Sequence, residues 1–223
     1  MPYLSASGRR LHYETIAGDG PTLVLLHHGI GCVELWHDIP ERLAQETGCP
    51  IFTYSRHGYG KSEACIEWPR PWDYMLDEAF NTLPQLMDGA GLNDVILVGH
   101  SDGATIAAAY AGKVGTFVRG LVVIAPHFFV EEVCVSAITE IDQRYVTQGL
   151  KEKMERYHGF VDGAFYGWSK SWLQPKFRQF DTQDYLPTLK KPVLGIQGRL
   201  DEYGTMAQLD ALEAGAGGPV ELV

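Results

Sequence analysis

The residues whose types and spacing most directly imply chemistry are Gly99-His100-Ser101-Asp102-Gly103. A hydroxyl flanked by glycines two positions away on each side fits a sharp turn from a strand into a helix. The hydroxyl then projects above the turn, and the glycines admit the close approach of strand and helix. The flanks agree, with Val95-Ile96-Leu97-Val98 before the turn and an alanine-rich stretch over 104–111 after it. Such a serine can attack a carbonyl carbon if a base takes its proton and N–H groups receive the developing oxyanion. His27-His28-Gly29-Ile30-Gly31, directly after an apolar run over 22–26, is the loop that could supply one N–H. Ile30 is assigned as that donor, with Gly29 as its nearest competitor, and the amide of Asp102 is the second. His27 and His28 read as structural, with one of them hydrogen-bonding the loop. A third stretch, Gly198-Arg199-Leu200-Asp201-Glu202, offers a carboxylate. Asp201 is preferred over Glu202 to orient a histidine and stabilise its charged form; its structural alternative is an N-cap for a helix over 205–212.

These residues need a scaffold that brings three loops together. Short apolar runs alternate with helical periodicity, which predicts an α/β fold: a mostly parallel central sheet with helices on both faces. Strands are expected over 10–16 (early and antiparallel), 22–26, 50–54, 94–98, 119–125 and 192–197, with 219–223 opening a last one. Helices are expected over 35–47, ending at Gly48, over 73–90, with a break at Pro84, and over 104–111. Between 126 and 187 the pattern changes to charge, helical spacing and many aromatics: Tyr157, Phe160, Phe165, Tyr166, Trp168, Trp172 and Phe177. About 60 residues is too long for a plain loop, so this is a helical insertion over the C-terminal edge of the sheet, where open α/β sheets bind ligands. Its aromatics are read mainly as its own core.

The order of the signals, with Tyr54-Ser55-Arg56-His57-Gly58-Tyr59-Gly60-Lys61-Ser62 between the first loop and the serine turn, resembles the α/β-hydrolase superfamily, in particular its small capped bacterial members with a GHSDG elbow. The resemblance covers essentially the whole chain. It implies a hydrolase core over 1–126 and 187–223 with a helical cap over 127–186, and a triad in the order serine, acid, histidine. It also implies hydrolysis of an ester, thioester, amide or activated C–C bond without metal or organic cofactor. The site residues it implies are Ser101 and Asp201 as catalytic groups and the amides of Ile30 and Asp102 as the oxyanion hole, with Gly29, His100, His127 and Trp168 as further contacts to a small-molecule substrate. Arg56 or Tyr59 could also reach substrate. Relatives with an aspartate nucleophile carry it at the centre of the elbow, so the off-centre Asp102 is discounted in that role.

One element of the pattern is not met. The superfamily places its histidine in a loop after the last strand, whereas the last histidine here is His158, ahead of Asp201. The expectation is that the sequence is C-terminally truncated, with its last strand and helix missing and the chain by itself nearly inactive. His127, then His100, are the best-placed substitutes. Two other classes stay open: a non-catalytic ligand-binding protein on the same scaffold, and a cofactor-free lyase or oxygenase.

Composition narrows the partners. A net charge of −10 and a pI near 5.2 disfavour nucleic acid. Gly60-Lys61-Ser62 lacks the earlier glycine of a phosphate loop, because Ser55 stands there. The four cysteines form no C-x-x-C pair and read as free thiols of a reducing compartment. No apolar run is long enough to span a bilayer, and the N-terminus carries no signal-like apolar stretch. A cytoplasmic protein is expected, with a homodimer left open.

Overall fold

A computed structural model describes residues 2–223. Along the chain run β1 (Tyr3–Ala6), β2 (Arg9–Ile16), β3 (Thr22–Leu26), α1 (Ile39–Thr47), β4 (Ile51–Tyr54), α2 (Tyr74–Asp77), α3 (Leu83–Gly89), β5 (Val95–His100), α4 (Asp102–Lys113) and β6 (Val118–Ile124). The helices α5 (Glu132–Arg144), α6 (Leu150–Met154) and α7 (Val161–Trp172) follow, then β7 (Val193–Ile196), α8 (Ala207–Gly215) and β8 (Val220–Leu222). The described residues form one eight-stranded sheet in the order β1-β2-β4-β3-β5-β6-β7-β8. The β1/β2 and β2/β4 pairs are antiparallel, and every pair from β4 to β8 is parallel.

Alternation along the central strands decides which helix covers which face. Leu23, Leu25, Ile51 and Val98 point to one side and pack with Leu43 and Ala44 of α1. Val24, Leu26, Phe52, Val95 and Leu97 point to the other, against residues of α3, α4 and α8. Successive side chains of a strand point to opposite faces, so a strand buried on both faces must be apolar throughout, as β3 is. The alanines of α4 let that helix lie close on β3, β5 and β6. Leu26 pairs with Gly99 and His100 with Ile124, which aligns the C-terminal ends of β3, β5 and β6 along one edge.

Several expectations are corrected. β1 was not anticipated, and it pairs with β2 through a turn in which Ser7 and Gly8 both have positive φ. The helix expected over 35–47 is divided into a 3-10 turn, Val33–Trp36, and α1. Pro40 has no N–H to bond back to the carbonyl of Trp36, so it starts a helix there instead of continuing one; Gly48, in the left-handed conformation, ends it as expected. The break expected at Pro84 is a π-helical turn, Glu78–Thr82, between α2 and α3. Pro84 cannot donate to the carbonyl of Phe80, and the ladder widens by one residue just before it. The last strand is not missing: β8 pairs in parallel with β7, Val193 opposite Val220 and Gly195 opposite Leu222.

Between β6 and β7, α5, α6 and α7 are followed by 3-10 turns at Pro175–Gln179 and Gln183–Thr188. Phe165, Trp172, Phe177 and Phe180 are buried there, with Tyr145 stacked on Phe165 at 3.8 Å and Phe177 on Phe180 at 4.9 Å. These aromatics pack on one another and belong to the same buried cluster as the side chains on the α4 face of the sheet. The turn Gln183–Thr188 straddles the expected boundary at 186/187 and packs against α4 and α8.

Candidate functional site

Ser101 stands between β5 and α4 with φ 55° and ψ −121°, a conformation that L residues rarely adopt. Its N–H donates to the carbonyl of Ile124 at 2.8 Å, which pins the turn to the end of β6. The two glycines are sterically required. A Cβ on Gly99 would lie 2.4 Å from the carbonyl oxygen of Gly103, and one on Gly103 would lie 2.1 Å from that of Leu26.

The loop after β3 reaches the same place. The ring of His27, fully buried, has its Nδ1 2.7 Å from the carbonyl oxygen of His28, while its Nε2 accepts the N–H of Arg56 at 3.0 Å. The second bond leaves the ring proton on Nδ1, donated to His28. The Arg56 guanidinium donates to the carbonyls of His27 (3.2 Å) and His28 (2.9 Å) and lies 3.7 Å from the carboxylate of Asp102. Tyr74 donates its hydroxyl to the same carboxylate, and the Trp172 indole N–H donates to Tyr74 at 3.1 Å. On the far side, His158 accepts the N–H of Gly60 at Nδ1 (2.9 Å), so its Nε2–H donates to the carbonyl of Ile30 (3.1 Å). Burial lowers His158 to about 4, consistent with a neutral ring. The amides of Ile30, Gly29 and Asp102 make no hydrogen bond among the described residues.

Ser101 opens into a cavity of about 210 Å³ lined by His28, Gly29, Ile30, His100, Ala125, His127, Trp168, Asp201 and Tyr203. The structure therefore gathers Ser101, Asp201, Ile30, Gly29, His100, His127 and Trp168, drawn from five separate stretches of sequence, around one space. Asp201 follows β7. Its Oδ1 accepts the N–H of Tyr203 at 2.8 Å and its Oδ2 the side-chain amide of Gln197 at 3.1 Å. Glu202 faces elsewhere, into a cleft with Glu140 and Arg144. The rings of His28, His100 and His127 make no hydrogen bond among the described residues. Burial lowers all three, and with the nearby His100 it brings His28 to about 3. The backbone of His127 is held by Thr105 Oγ1, and its ring packs edge-on against Trp172 at 5.1 Å. Trp168 covers the loop so closely that a Cβ on Gly29 would fall 2.1 Å from its indole nitrogen.

The side chain of Asp102 is buried, faces Arg56 and does not line the cavity. Arg56 and Tyr59, which could have reached substrate, do not line the Ser101 cavity, although Arg56 lines a second cavity of about 500 Å³ with His57, Arg70 and Tyr74. Both are buried, and Arg56 grips the carbonyls of one loop and the carboxylate of the next. Ala125, with φ 47° at the end of β6, and Tyr203 line the cavity without any advance signal, since neither residue type marks a site. His158 could not be placed on the Ile30 loop from sequence, because 128 positions separate them.

Over 126 residues the chain is 32% identical to a proline iminopeptidase from Saccharolobus solfataricus, a match over 54% of this chain and 39% of that protein. It is 31% identical over 117 residues to lipase LipV from Mycobacterium tuberculosis, covering 52% and 41%. The matched region thus spans well under half the length of these curated relatives. The crystal structure of the enol-lactonase from Burkholderia xenovorans LB400 superposes with a TM-score of 0.74 at 19% identity, over 100% of this chain and 91% of that one, a likeness of fold. Residues 21–210 match the profile of the alpha/beta hydrolase fold. That match runs from β3 through the Ser101 turn and the Asp201 loop into α8, and the chain belongs to the alpha/beta hydrolase fold family.

Proposed function

We propose that the protein is a serine hydrolase acting on a small carbonyl substrate. The observation that carries this reading is the shared cavity: a serine held at φ 55°, the unpartnered amides of Gly29 and Ile30 and a carboxylate meet around one small space, with the unpartnered amide of Asp102 next to the serine in sequence. Ser101 Oγ attacks the carbonyl carbon, its proton passes to a histidine, and the N–H groups of Ile30 and Asp102 stabilise the tetrahedral oxyanion. Collapse expels the leaving group, which takes the proton from that histidine. Water then attacks the acyl-serine by the same route, releasing the acid and restoring Ser101. Asp201 orients the histidine. At about 210 Å³ the cavity accepts a short acyl group, and Trp168 and His127 give it an apolar wall.

Two sources of the histidine fit the geometry. In the family order it follows the eighth strand. The carbonyl of Val223 accepts the N–H of Gln197, so this point of the chain lies next to the strand end that leads to Asp201. A histidine carried by sequence continuing from here would enter beside that carboxylate. The second source is His127, which already lines the cavity with its ring free of hydrogen bonds among the described residues.

A fluorophosphonate probe and a short-chain p-nitrophenyl ester test the reading. In a form extended beyond Val223, the probe is expected on Ser101, and Ser101→Ala abolishes labelling and turnover. The 223-residue chain turns over slower by several powers of ten if the base comes from the extension. Equal turnover by the two forms, lost in His127→Gln, assigns the base to His127. Turnover that survives Ser101→Ala ends the proposal.

A further inference from the structure

We propose that His12, Glu14 and Glu34 form a divalent transition-metal site, with Zn²⁺ as the fitting ion, outside the Ser101 cavity and outside the hydrolytic chemistry. His12 is fully buried, and neither of its ring nitrogens has a hydrogen-bond partner among the described residues. An imidazole must either donate or accept at each nitrogen, so a buried ring with no partner is costly unless something supplies one. The groups around it are the right ones. Glu14 lies two residues on along β2, on the same face, with its Oε1 3.6 Å from His12 Nε2. Glu34 comes from the 3-10 turn Val33–Trp36 across the sheet face. One ligand atom from each of the three lies within 4.8 Å of the others.

That spacing is close to what a cation bonded at about 2.0–2.2 Å to imidazole and carboxylate ligands requires, with shifts within reach of the two glutamate side chains. One imidazole and two carboxylates, without a thiolate, suit Zn²⁺ better than Mg²⁺, which favours oxygen ligands. Glu14 is 54% exposed, which leaves a coordination position open to water.

Lys61 now pairs with Glu34, its ammonium 2.6 Å from Glu34 Oε1. An ammonium serves a carboxylate but offers no lone pair or acceptor for the His12 ring, which it leaves unpartnered. Its side chain is 37% exposed and free to turn into solvent when a metal takes its place. The bound ion would then tie β2 to the turn that continues the His27–Gly31 loop.

The test uses the whole protein, stripped with chelator and titrated calorimetrically with Zn²⁺. One equivalent is expected to bind and to raise Tm, and Co²⁺ is expected to give d–d bands with no thiolate charge transfer. Glu14→Gln, at an exposed position that leaves the fold intact, weakens binding by about tenfold or more, as does Glu34→Gln. Lys61→Met, which removes the competing cation, tightens it. Absence of one-equivalent binding by the unmodified protein, affinity unchanged in Glu14→Gln, or a thiolate band pointing to Cys32 would each overturn the proposal.

Discussion

At the scale of the residue, the site depends on contacts too close for any larger group. Gly103 has no room for a methyl, because the carbonyl of Leu26 occupies its place. Gly103→Ala is expected to destabilise the protein by at least about 1–3 kcal/mol, read as a lower midpoint in urea unfolding. Arg56 is the residue whose role changed most between sequence and structure. Its motif suggested a pocket contact, yet its guanidinium holds the carbonyls of His27 and His28 and faces Asp102, so it positions both proposed oxyanion donors from behind. Arg56→Leu leaves the Asp102 carboxylate buried without its counter-ion, and a loss of about 3–5 kcal/mol in unfolding free energy is expected. In Arg56→Lys, which keeps the charge but loses the fork, kcat of an active form falls while KM for the ester hardly moves, by no more than the ~100-fold that loss of one oxyanion donor costs. A change confined to KM would place Arg56 in substrate binding after all. The glycines and the serine were legible in sequence because a steric requirement is written in residue type. The role of Arg56 was not, since an arginine side chain long enough to reach two loops reveals neither in its own neighbourhood.

At the scale of the element, the loop after β3 is held from two sides by neutral histidines. His27 is fixed by Arg56, and His158 links Gly60 to Ile30 across the gap between the β4 loop and the insertion. Burial lowers His158 to about 4 and, with His100 nearby, His28 to about 3, both below the ordinary value of 6.5. The unfolded chain therefore takes up protons first as pH falls. The stability these rings contribute is fully present above pH 6.5 and is lost progressively from there down to about pH 4 for His158 and about pH 3 for His28. A thermal-unfolding series from pH 7.5 to 4.5 should show Tm falling with acid, and His158→Gln should flatten that slope even where it lowers Tm at neutral pH. An unchanged slope would mean that His158 is not neutral in the folded protein. The strands were legible at this scale, because β3, β4 and β5 are too short and too apolar to be anything else between turn residues. The helix over 73–90 was legible in extent and in its break at Pro84, but the π-helical form of that break follows from how the displaced ladder packs.

At the scale of the whole molecule, the insertion and the sheet are joined by a buried chain of polar contacts running from Trp172 through Tyr74 to Asp102 and Arg56. Insertion and core are therefore expected to unfold together. Tryptophan fluorescence and far-ultraviolet circular dichroism should give coincident transitions, and Phe177→Ala, which hollows the insertion core, should lower both by about 3–5 kcal/mol. Two separated transitions would show that the insertion melts alone. By itself the sequence determined the α/β architecture, the turn at Ser101 and the sites of the loops bearing Ile30 and Asp201, because periodicity, glycine spacing and turn chemistry are local and each residue carries its own share of them. It also determined that no histidine follows Asp201 before Val223. The tertiary structure alone decided that these loops converge on one small cavity, that Ala125 and Tyr203 help to line it, that Arg56 and His158 stand behind it, and that His12 meets two glutamates elsewhere. Each of those meetings joins residues brought together by strand order and helix packing, and the distances that make them chemistry exist only once the sheet has closed its register.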